Sequence, residues 1–287
     1  MELLTKEISL THNIYLISDF HEGTILQDKK GLEETIIQIA SEKNSWAIIG
    51  GDLAEAIMID DKRYHREAID RRAEVPLLQY QNCVELLRPI QKKIIAIMVG
   101  NHDWKLLSRM GNMVRDFVCK ELDVPYGTYS CKTALTHKGK SLYKIFYTHG
   151  SGLIHTTADD PTRRLSNMLL SLKRKLQHKA ADCLVMAMGH CHKLLVLEPI
   201  PVLYLIDEGG EIKQFYTGSG QKDKYIHPDH RFYCATGSFL KLYEKGVSGY
   251  GELLGFDPHE LGYCVVKAED GIVKGVEKRI LHQPETM

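Results

Sequence analysis

The hydrophobic pattern of the chain contains five short, nearly continuous apolar runs, each of which leads into a polar residue. Buried strands of α/β proteins have this pattern, and ligands collect beyond the carboxyl ends of such strands. We therefore predict five buried strands that deliver polar side chains to one edge of a sheet. The runs cover residues 14–18, 46–49, 94–99, 142–147 and 184–188, and they lead into Asp19, Asp52, Asn101, His149 and His190.

Helical and strand-like stretches lie between and after these runs. Apolar residues recur at helical spacing in 32–40, 104–122 and 161–179. Asp160 and Pro161 supply an N-cap and a first-turn proline for the last of these helices. Beyond residue 195 short β-like runs alternate with turns, at 202–206, 212–216, 232–243 and 263–267. The alternation predicts an α/β chain with a second sheet in its last third.

The stretch between Asp52 and Asn101 resembles a sheet element least. It spans 49 positions, which is long for a simple strand–helix–strand return. Charges of both signs fill its first half and an apolar stripe its second, so we predict a solvated helical hairpin. A cap that shapes a substrate site is the alternative. In either case the prediction is one domain over residues 1–287 with a helical insertion at about 57–92.

Composition excludes several classes of protein. The 287 residues include 37 Lys+Arg and 37 Asp+Glu, so the net charge is zero with neutral histidine and a generally basic polyanion-binding protein is excluded. The sequence has no apolar stretch long enough to span a bilayer and no secretory layout at its N-terminus. Its seven scattered cysteines contain no Cys-x-x-Cys pair, so we expect a reduced, cytoplasmic protein with no membrane partner.

Short polar motifs at the ends of the apolar runs carry the candidate chemistry. Each motif is weak alone, and their shared position after strands makes the set specific. Carboxylate, amide and imidazole groups without thiolate suit Mn, Fe, Zn or Ni, and seven ligands suit two metals that share one carboxylate. Such a pair activates water for in-line attack on phosphorus. The motifs are Asp19-Phe20-His21-Glu22-Gly23, Gly51-Asp52, Gly100-Asn101-His102-Asp103, Thr148-His149-Gly150 and Gly189-His190-Cys191-His192.

Hydrolysis also needs a proton for the leaving oxygen. His102 follows the candidate ligand Asn101 directly, and we predict that it is the general acid. Asp103 is predicted to hold the His102 ring in one tautomer and to raise its basicity. These two residues are the predicted catalytic pair.

The order of the motifs resembles that of the calcineurin-like metallophosphoesterases, which carry D-x-H, G-D, G-N-H-D/E, H and G-H-x-H. The match spans residues 19–192. The resemblance implies an α/β (α+β) fold, a four-layer αββα sandwich with two mixed β-sheets flanked by helices. It also implies one metal held by Asp19, His21, Asp52 and His192, and a second held by Asp52, Asn101, His149 and His190. In the second motif Glu55 follows where many members have another carboxylate or Asn, and it is not counted as a ligand.

The predicted activity is that of a dinuclear metal-dependent phosphoesterase. We expect it to hydrolyse phosphodiester bonds of nucleotides or nucleic acid by attack of a hydroxide that bridges the two divalent ions, with Mn as the first choice of metal. A phosphomonoesterase or protein phosphatase of the same fold is one alternative. A non-catalytic scaffold is another, and a nucleic-acid-binding protein is a third, since the helix at 161–179 has a basic excess from Arg163 to Lys179.

Overall fold

Two β-sheets form the centre of the structure, a computed structural model that describes residues 1–222 and 224–282. The remaining residues of the predicted domain, 223 and 283–287, lie outside the described part. The six-stranded sheet has the order β1-β5-β6-β7-β11-β8 and the five-stranded sheet the order β13-β12-β2-β3-β4. The strands of the six-stranded sheet are β1 (Glu2–Glu7), β5 (Ser130–His137), β6 (Lys140–Thr148), β7 (Val185–Met188), β8 (Leu194–Leu197) and β11 (Phe232–Thr236). Those of the five-stranded sheet are β2 (His12–Ile17), β3 (Ser45–Ile49), β4 (Ile94–Ile97), β12 (Gly262–Glu269) and β13 (Ile272–Ile280).

Apolar side chains join the sheets and helices into four layers. The inner faces of the two sheets share one core, which includes Leu16 and Ile48 from one sheet and Tyr147 from the other. Helices α1 (Lys29–Ser41) and α2 (Pro76–Leu87) cover the outer face of the five-stranded sheet. Helix α6 (Pro161–Leu176) covers the outer face of the six-stranded sheet through Leu172 and Leu176. The predicted four-layer αββα sandwich is confirmed.

The expectation of a single sheet edge is wrong in detail. Strands β2, β3 and β4 run parallel in the five-stranded sheet, whereas β6 and β7 run parallel in the six-stranded sheet. The late strands are likewise divided, with β8 and β11 in one sheet and β12 and β13 in the other. Strands buried on both faces have the same apolar pattern in either sheet, so the pattern cannot assign a strand to its sheet. The polar strand ends nevertheless meet, because the two sheets are stacked.

The segment that follows β3 differs from the predicted helical hairpin. Its first half contains two short 3₁₀ turns, Arg66–Ala68 and Arg71–Ala73, and only the second half is helical, as α2 and the 3₁₀ turn Arg88–Lys93. Aspartate side chains explain the difference, because Asp61 accepts a hydrogen bond from the backbone of Arg63 at 3.0 Å and Asp70 from that of Arg72 at 3.0 Å. Such Asx turns compete with helix formation.

The other helical predictions have mixed outcomes. Asp160 caps α6 by accepting from the backbone of Arg163 at 2.7 Å, as the sequence predicts. The predicted helix at 104–122 is instead divided into α3 (Asn101–Lys105), α4 (Leu107–Met110), a π-helical turn (Val114–Cys119) and α5 (Lys120–Leu122). Gly111, with φ 75°, ends α4. None of the helices in the described ranges has the length and apolar content required to span a bilayer.

A β-hairpin projects from the sandwich and belongs to neither sheet. Its strands are β9 (Leu203–Glu208) and β10 (Glu211–Tyr216), and every residue of both is exposed. Tyr204 and Phe215 stack at a ring distance of 6.1 Å. The short helix α7 (Tyr250–Leu253) lies between β11 and β12 in chain order. Its first residue, Tyr250, borders the cavity described below.

Candidate metal centre

The seven candidate ligands converge at the carboxyl ends of five strands. Asp19 and His21 follow β2, Asp52 follows β3, Asn101 follows β4, His149 follows β6, and His190 and His192 follow β7. Their side chains form two neighbouring clusters. One cluster contains Asp19, His21 and His192, and the other contains Asp52, His149 and His190 with Asn101 between the last two.

The backbone at these positions is strained. Five of the seven residues have left-handed backbone angles, with φ 57° at Asp19, 53° at His21, 51° at Asp52, 65° at His190 and 51° at His192. Side chains other than glycine rarely adopt this region, and such residues collect at functional sites. Glycine would relieve the strain but would supply no ligand, so the positions favour a functional interpretation.

In the first cluster, the candidate ligand atoms point at one another. His21 Nδ1 donates to Glu55 Oε2 at 2.6 Å, so Nε2 is the nitrogen that would face a metal ion. Burial acts to lower the pKa of His21, but the charge of Glu55 raises it, so a metal ion would take the place of a proton on Nε2. His21 Nε2 is 3.3 Å from His192 Nε2, which is 3.3 Å from Asp19 Oδ1. Within the described part of the chain, the buried Oδ1 of Asp19 has no hydrogen-bond partner. A buried carboxylate oxygen without a donor and two imidazoles directed at it fit a metal ion.

The second cluster has the same character. His149 Nδ1 donates to the carbonyl of Gly50 at 2.8 Å, so Nε2 is the nitrogen that faces the cluster. Burial acts to lower the pKa of His149, but the charge of Asp52 raises it to about 9, so a metal ion would have to displace the Nε2 proton. Asn101 Oδ1 lies 2.9 Å from this Nε2, 2.5 Å from His190 Nδ1 and 3.2 Å from Asp52 Oδ2. The rotated amide would direct its N–H groups at the same three atoms, and the orientation with oxygen inward is the one that a cation requires. Asp52 Oδ2 is also 3.3 Å from His149 Nε2.

Electrostatics keep the two carboxylates charged. Burial acts to raise the pKa of Asp19, but the adjacent imidazole of His192 lowers it to about 2. At Asp52, burial likewise acts to raise the pKa, but the charge of His149 holds it well below its usual value. Burial and the charge of His149 lower the pKa of His190 to about 4, so this ring is neutral at neutral pH. Anionic oxygens beside a neutral imidazole are the ligand states that a divalent transition metal needs.

His102 lies beside the ligands, but Asp103 does not hold it. His102 Nδ1 is 2.5 Å from the carbonyl of Glu55, and its Nε2 is 2.7 Å from Arg63 NH1. Burial lowers the pKa of His102. Asp103 instead accepts from the backbone of Gly100 at 2.9 Å and from the hydroxyl of Tyr80 at 2.9 Å. The predicted orienting role of Asp103 is therefore wrong, because neighbouring residues of a helix point in different directions.

A cavity of about 360 Å³ opens over both clusters. Apolar and aromatic side chains from distant parts of the chain form much of its wall, and no residue of 161–179 lines it within the described ranges. The basic face of α6 is therefore not part of this cavity. The wall comprises Asp52, Arg63, Asn101, His102, Leu153, Ile154, His155, His190, Cys191, His192, Lys193, Leu242, Tyr250, Gly255, Phe256, Asp257 and His259.

Three residues near the clusters are not among the site residues predicted from the motifs. Glu55 was noted beside the second motif but not as the partner of His21. Arg63 lies in the irregular segment after β3, and no local pattern distinguishes it from its charged neighbours. His259 lies far beyond the last motif, yet its ring is 5.5 Å from that of His192. Only Glu55 had a sequence signal, its position three residues after Asp52.

Gly100→Ala is expected to disrupt the second cluster. A Cβ at this position would lie 2.1 Å from Asp52 Oδ1 and 2.3 Å from the backbone nitrogen of Asp52. Because backbone must shift to relieve this contact, we expect a loss of about 1–3 kcal/mol in unfolding free energy together with weaker Mn²⁺ binding. Urea unfolding and calorimetric Mn²⁺ titration measure the two effects. Gly275→Ala is the control, since its nearest added contact is an ordinary 3.8 Å, and equal behaviour of both variants would contradict the prediction.

Several solved structures align with this chain, and two of them cover most of it. Vps29 from Chaetomium thermophilum is 15% identical with a TM-score of 0.34, over 95% of this chain and 99% of Vps29. The NAD nucleotidase NadN from Haemophilus influenzae is 11% identical with a TM-score of 0.37, over 94% of this chain and 49% of NadN, so the chain spans about half the length of NadN. Both TM-scores are below 0.5, and neither similarity adds to what the residues establish. The chain matches no family model and no curated protein.

Proposed function

We propose that the chain is a calcineurin-like, dinuclear metal-dependent phosphoesterase that hydrolyses phosphodiesters of nucleotides or nucleic acid. The observation that carries the proposal is the pair of buried clusters whose oxygen and nitrogen ligand atoms converge beneath one cavity. Two divalent ions would neutralise this convergence and would supply Lewis acidity and an activated water for attack on phosphorus. Paired oxygen- and nitrogen-rich metal sites under an open cavity favour this reaction class over a purely structural metal site, which is closed.

The ligand assignment follows the two clusters. Asp19, His21 and His192 would hold one ion, and Asn101, His149 and His190 would hold the other. Asp52 would be shared between them, since it lies in the second cluster and its charge also acts on Asp19 and His21. The oxygen and nitrogen donors suit Mn first, with Fe, Zn and Ni as alternatives.

The remaining residues of the site would orient the ligands and handle the leaving group. The carboxylate of Glu55 holds the His21 ring and the carbonyl of Gly50 holds the His149 ring. Such partners set the tautomer and the basicity of a ligating imidazole. His102 lies next to Asn101 at the cavity and would donate the proton to the leaving oxygen from Nε2, once that nitrogen, which accepts from Arg63 NH1 in this structure, is protonated. Asp103 would act at a distance, by accepting from the Gly100 backbone in the turn that carries Asn101.

We also propose a single-domain organisation and a cytoplasmic location for the protein. We take residues 1–287 as one domain in which about 57–92 is an insertion beside the site. The seven cysteines are all buried free thiols, which suits a reducing cytoplasm. The aromatic side chains of Tyr250 and Phe256 in the cavity wall suit a substrate that carries a base.

Metal-dependent hydrolysis of bis-p-nitrophenyl phosphate by the purified protein is the direct test. We expect turnover with Mn²⁺ that is lost in chelator and restored by Mn²⁺, and His102→Ala is expected to slow turnover about 10²–10⁴-fold without loss of bound metal. A parallel assay with p-nitrophenyl phosphate and with nucleotide diesters separates diester from monoester preference. Bound Mn²⁺ without turnover on any mono- or diester would overturn the proposal in favour of a scaffold.

A further inference from the structure

Arg63 places a guanidinium at the cavity, although it belongs to none of the motifs. It lies in the segment between β3 and α2 and lines the cavity together with Asp52, Asn101 and His192. Its NH1 is 2.7 Å from His102 Nε2. Its side chain is 23% exposed, so the group is largely withdrawn from water and still faces the open space.

Asp61 holds the guanidinium in this orientation. Arg63 Nε donates to Asp61 Oδ1 at 3.1 Å, and NH2 donates to Oδ2 at 2.9 Å. Two of the three guanidinium nitrogens are thereby held by Asp61, and the third, NH1, contacts His102 in the cavity wall. The group also lies 6.0 Å from the centre of the Tyr250 ring. Because a bidentate carboxylate fixes the plane of the guanidinium, little rotational freedom is lost when NH1 binds an anion.

The contacts of Arg63 differ from those of a residue that fastens its segment to the rest of the protein. Its charged partner, Asp61, is two residues away in the same segment, and it is Asp61 that also lies 3.5 Å from Lys105 of α3. A different ion pair joins the segment to the body of the protein, between Asp60 and Arg109 of α4, whose atoms form a bidentate contact. The contacts from Arg63 to the body are its NH1, 2.7 Å from His102 Nε2, and the ring of Tyr250. An anionic oxygen would be a stronger acceptor for NH1 than an imidazole nitrogen.

We propose that Arg63 binds a non-bridging phosphoryl oxygen of the substrate and that Asp61 is its positioning residue. This inference rests on the proposed function, since it assigns the substrate contact of the same site. The segment after β3 would thus select phosphoesters by supplying a directed positive charge opposite the metal ligands. Arg63 also lies beside His102, so one substrate oxygen near NH1 would place its neighbours near the proposed proton donor.

The test compares Arg63→Ala, Arg63→Lys and Asp61→Asn with Arg109→Ala in the full chain loaded with Mn²⁺. Calorimetric titration with inorganic phosphate measures anion binding directly, and hydrolysis of bis-p-nitrophenyl phosphate measures kcat and KM. We expect Arg63→Ala to weaken phosphate binding and to raise KM by about 10–100-fold, as loss of a charge-assisted hydrogen bond would. Arg63→Lys is expected to recover part of the loss, and Asp61→Asn to lose less than Arg63→Ala. Metal content should be unchanged in all four variants.

The matched control decides whether Arg63 contacts the phosphate or only holds its segment in place. Arg109→Ala removes the link that joins the same segment to α4 and is expected to leave phosphate affinity and KM as in the wild type. Wild-type phosphate affinity in Arg63→Ala would overturn the inference, as would equal losses in Arg63→Ala and Arg109→Ala. Phosphate binding that depends on Arg63 in a protein without any turnover would support the contact while overturning the proposed function, so the two failures are distinguishable.

Discussion

Asp52→Asn is expected to slow phosphodiester hydrolysis by at least ~10³-fold, beyond the loss that follows removal of one transition-state hydrogen-bond donor. Asp52 is 1% exposed and has the only carboxylate in the second cluster among the described residues. Its Oδ1 accepts from the backbone of His102 at 2.8 Å and its Oδ2 faces His149 Nε2 at 3.3 Å. Asparagine preserves the shape and removes the charge that the proposed ions share. Elemental analysis should show fewer than two bound Mn²⁺ per chain.

Stability separates a metal effect from misfolding in this variant. Asp19 and Asp52 are both buried, and the charge of Asp52 acts to raise the pKa of Asp19. In chelator at neutral pH, Asp52→Asn is expected to remain folded but to unfold at a lower urea concentration than the wild type, because the lowered pKa of Asp52 shows that the folded protein stabilises its charge. Asp116→Asn, at a surface carboxylate paired with Arg115, is the control and should retain metal and turnover. Two bound Mn²⁺ and normal turnover in Asp52→Asn would contradict the assignment.

Local pattern predicted the strands well, because burial on both faces leaves a strong compositional signal. The runs at 14–18 and 46–49 correspond to β2 and β3 within two residues. The same signal did not separate the sheets, since strands of both share one core. Short β-like runs at 202–206 and 212–216 also predicted β9 and β10 but not their exposure, which reaches 77% at Ile212. Such a run indicates a strand, whereas the position of the other layer decides whether the faces of the strand are covered.

The candidate site was predicted where its residues occupy strand ends. The pattern placed each candidate ligand after an apolar run, and the resemblance to the calcineurin-like metallophosphoesterases implied that the seven converge. The pattern alone did not give this convergence, since it assigned the strands to one sheet. The roles of Asp103 and Arg63 could not be obtained in this way. Asp103 turns to Tyr80 and Gly100 because of its place in a helical turn, and Arg63 reaches His102 through a local Asx turn at Asp61. Contacts of this kind depend on the three-dimensional path of irregular backbone, which spacing does not encode.

Arg231 shows the same limit in the core. Residue type predicts a surface position for arginine, yet Arg231 is 1% exposed and is the largest of the fully buried side chains in the described part. Its guanidinium donates to the carbonyls of Ile226 at 2.8 Å, Gln177 at 3.0 Å and Ala180 at 3.3 Å. Two of these carbonyls lie just beyond the end of α6, where helix carbonyls lack partners of their own. The cation therefore joins the end of α6 to the segment that leads into β11.

Arg231→Met is expected to lower the unfolding free energy by about 3 kcal/mol. Methionine fills most of the space but donates no hydrogen bond, and each buried carbonyl left without a donor costs about 1–3 kcal/mol. Methionine also removes the cost of burying the charge of Arg231, and this gain offsets part of the loss. The expected net loss is therefore near the lower end of the total for the carbonyls. Urea denaturation followed by circular dichroism measures the effect, and Arg174→Met, on the exposed face of α6, is the matched control with an expected change within about 0.5 kcal/mol. A loss below about 1 kcal/mol in Arg231→Met would mean that water or a neighbouring donor replaces the guanidinium, and that the end of α6 does not depend on it.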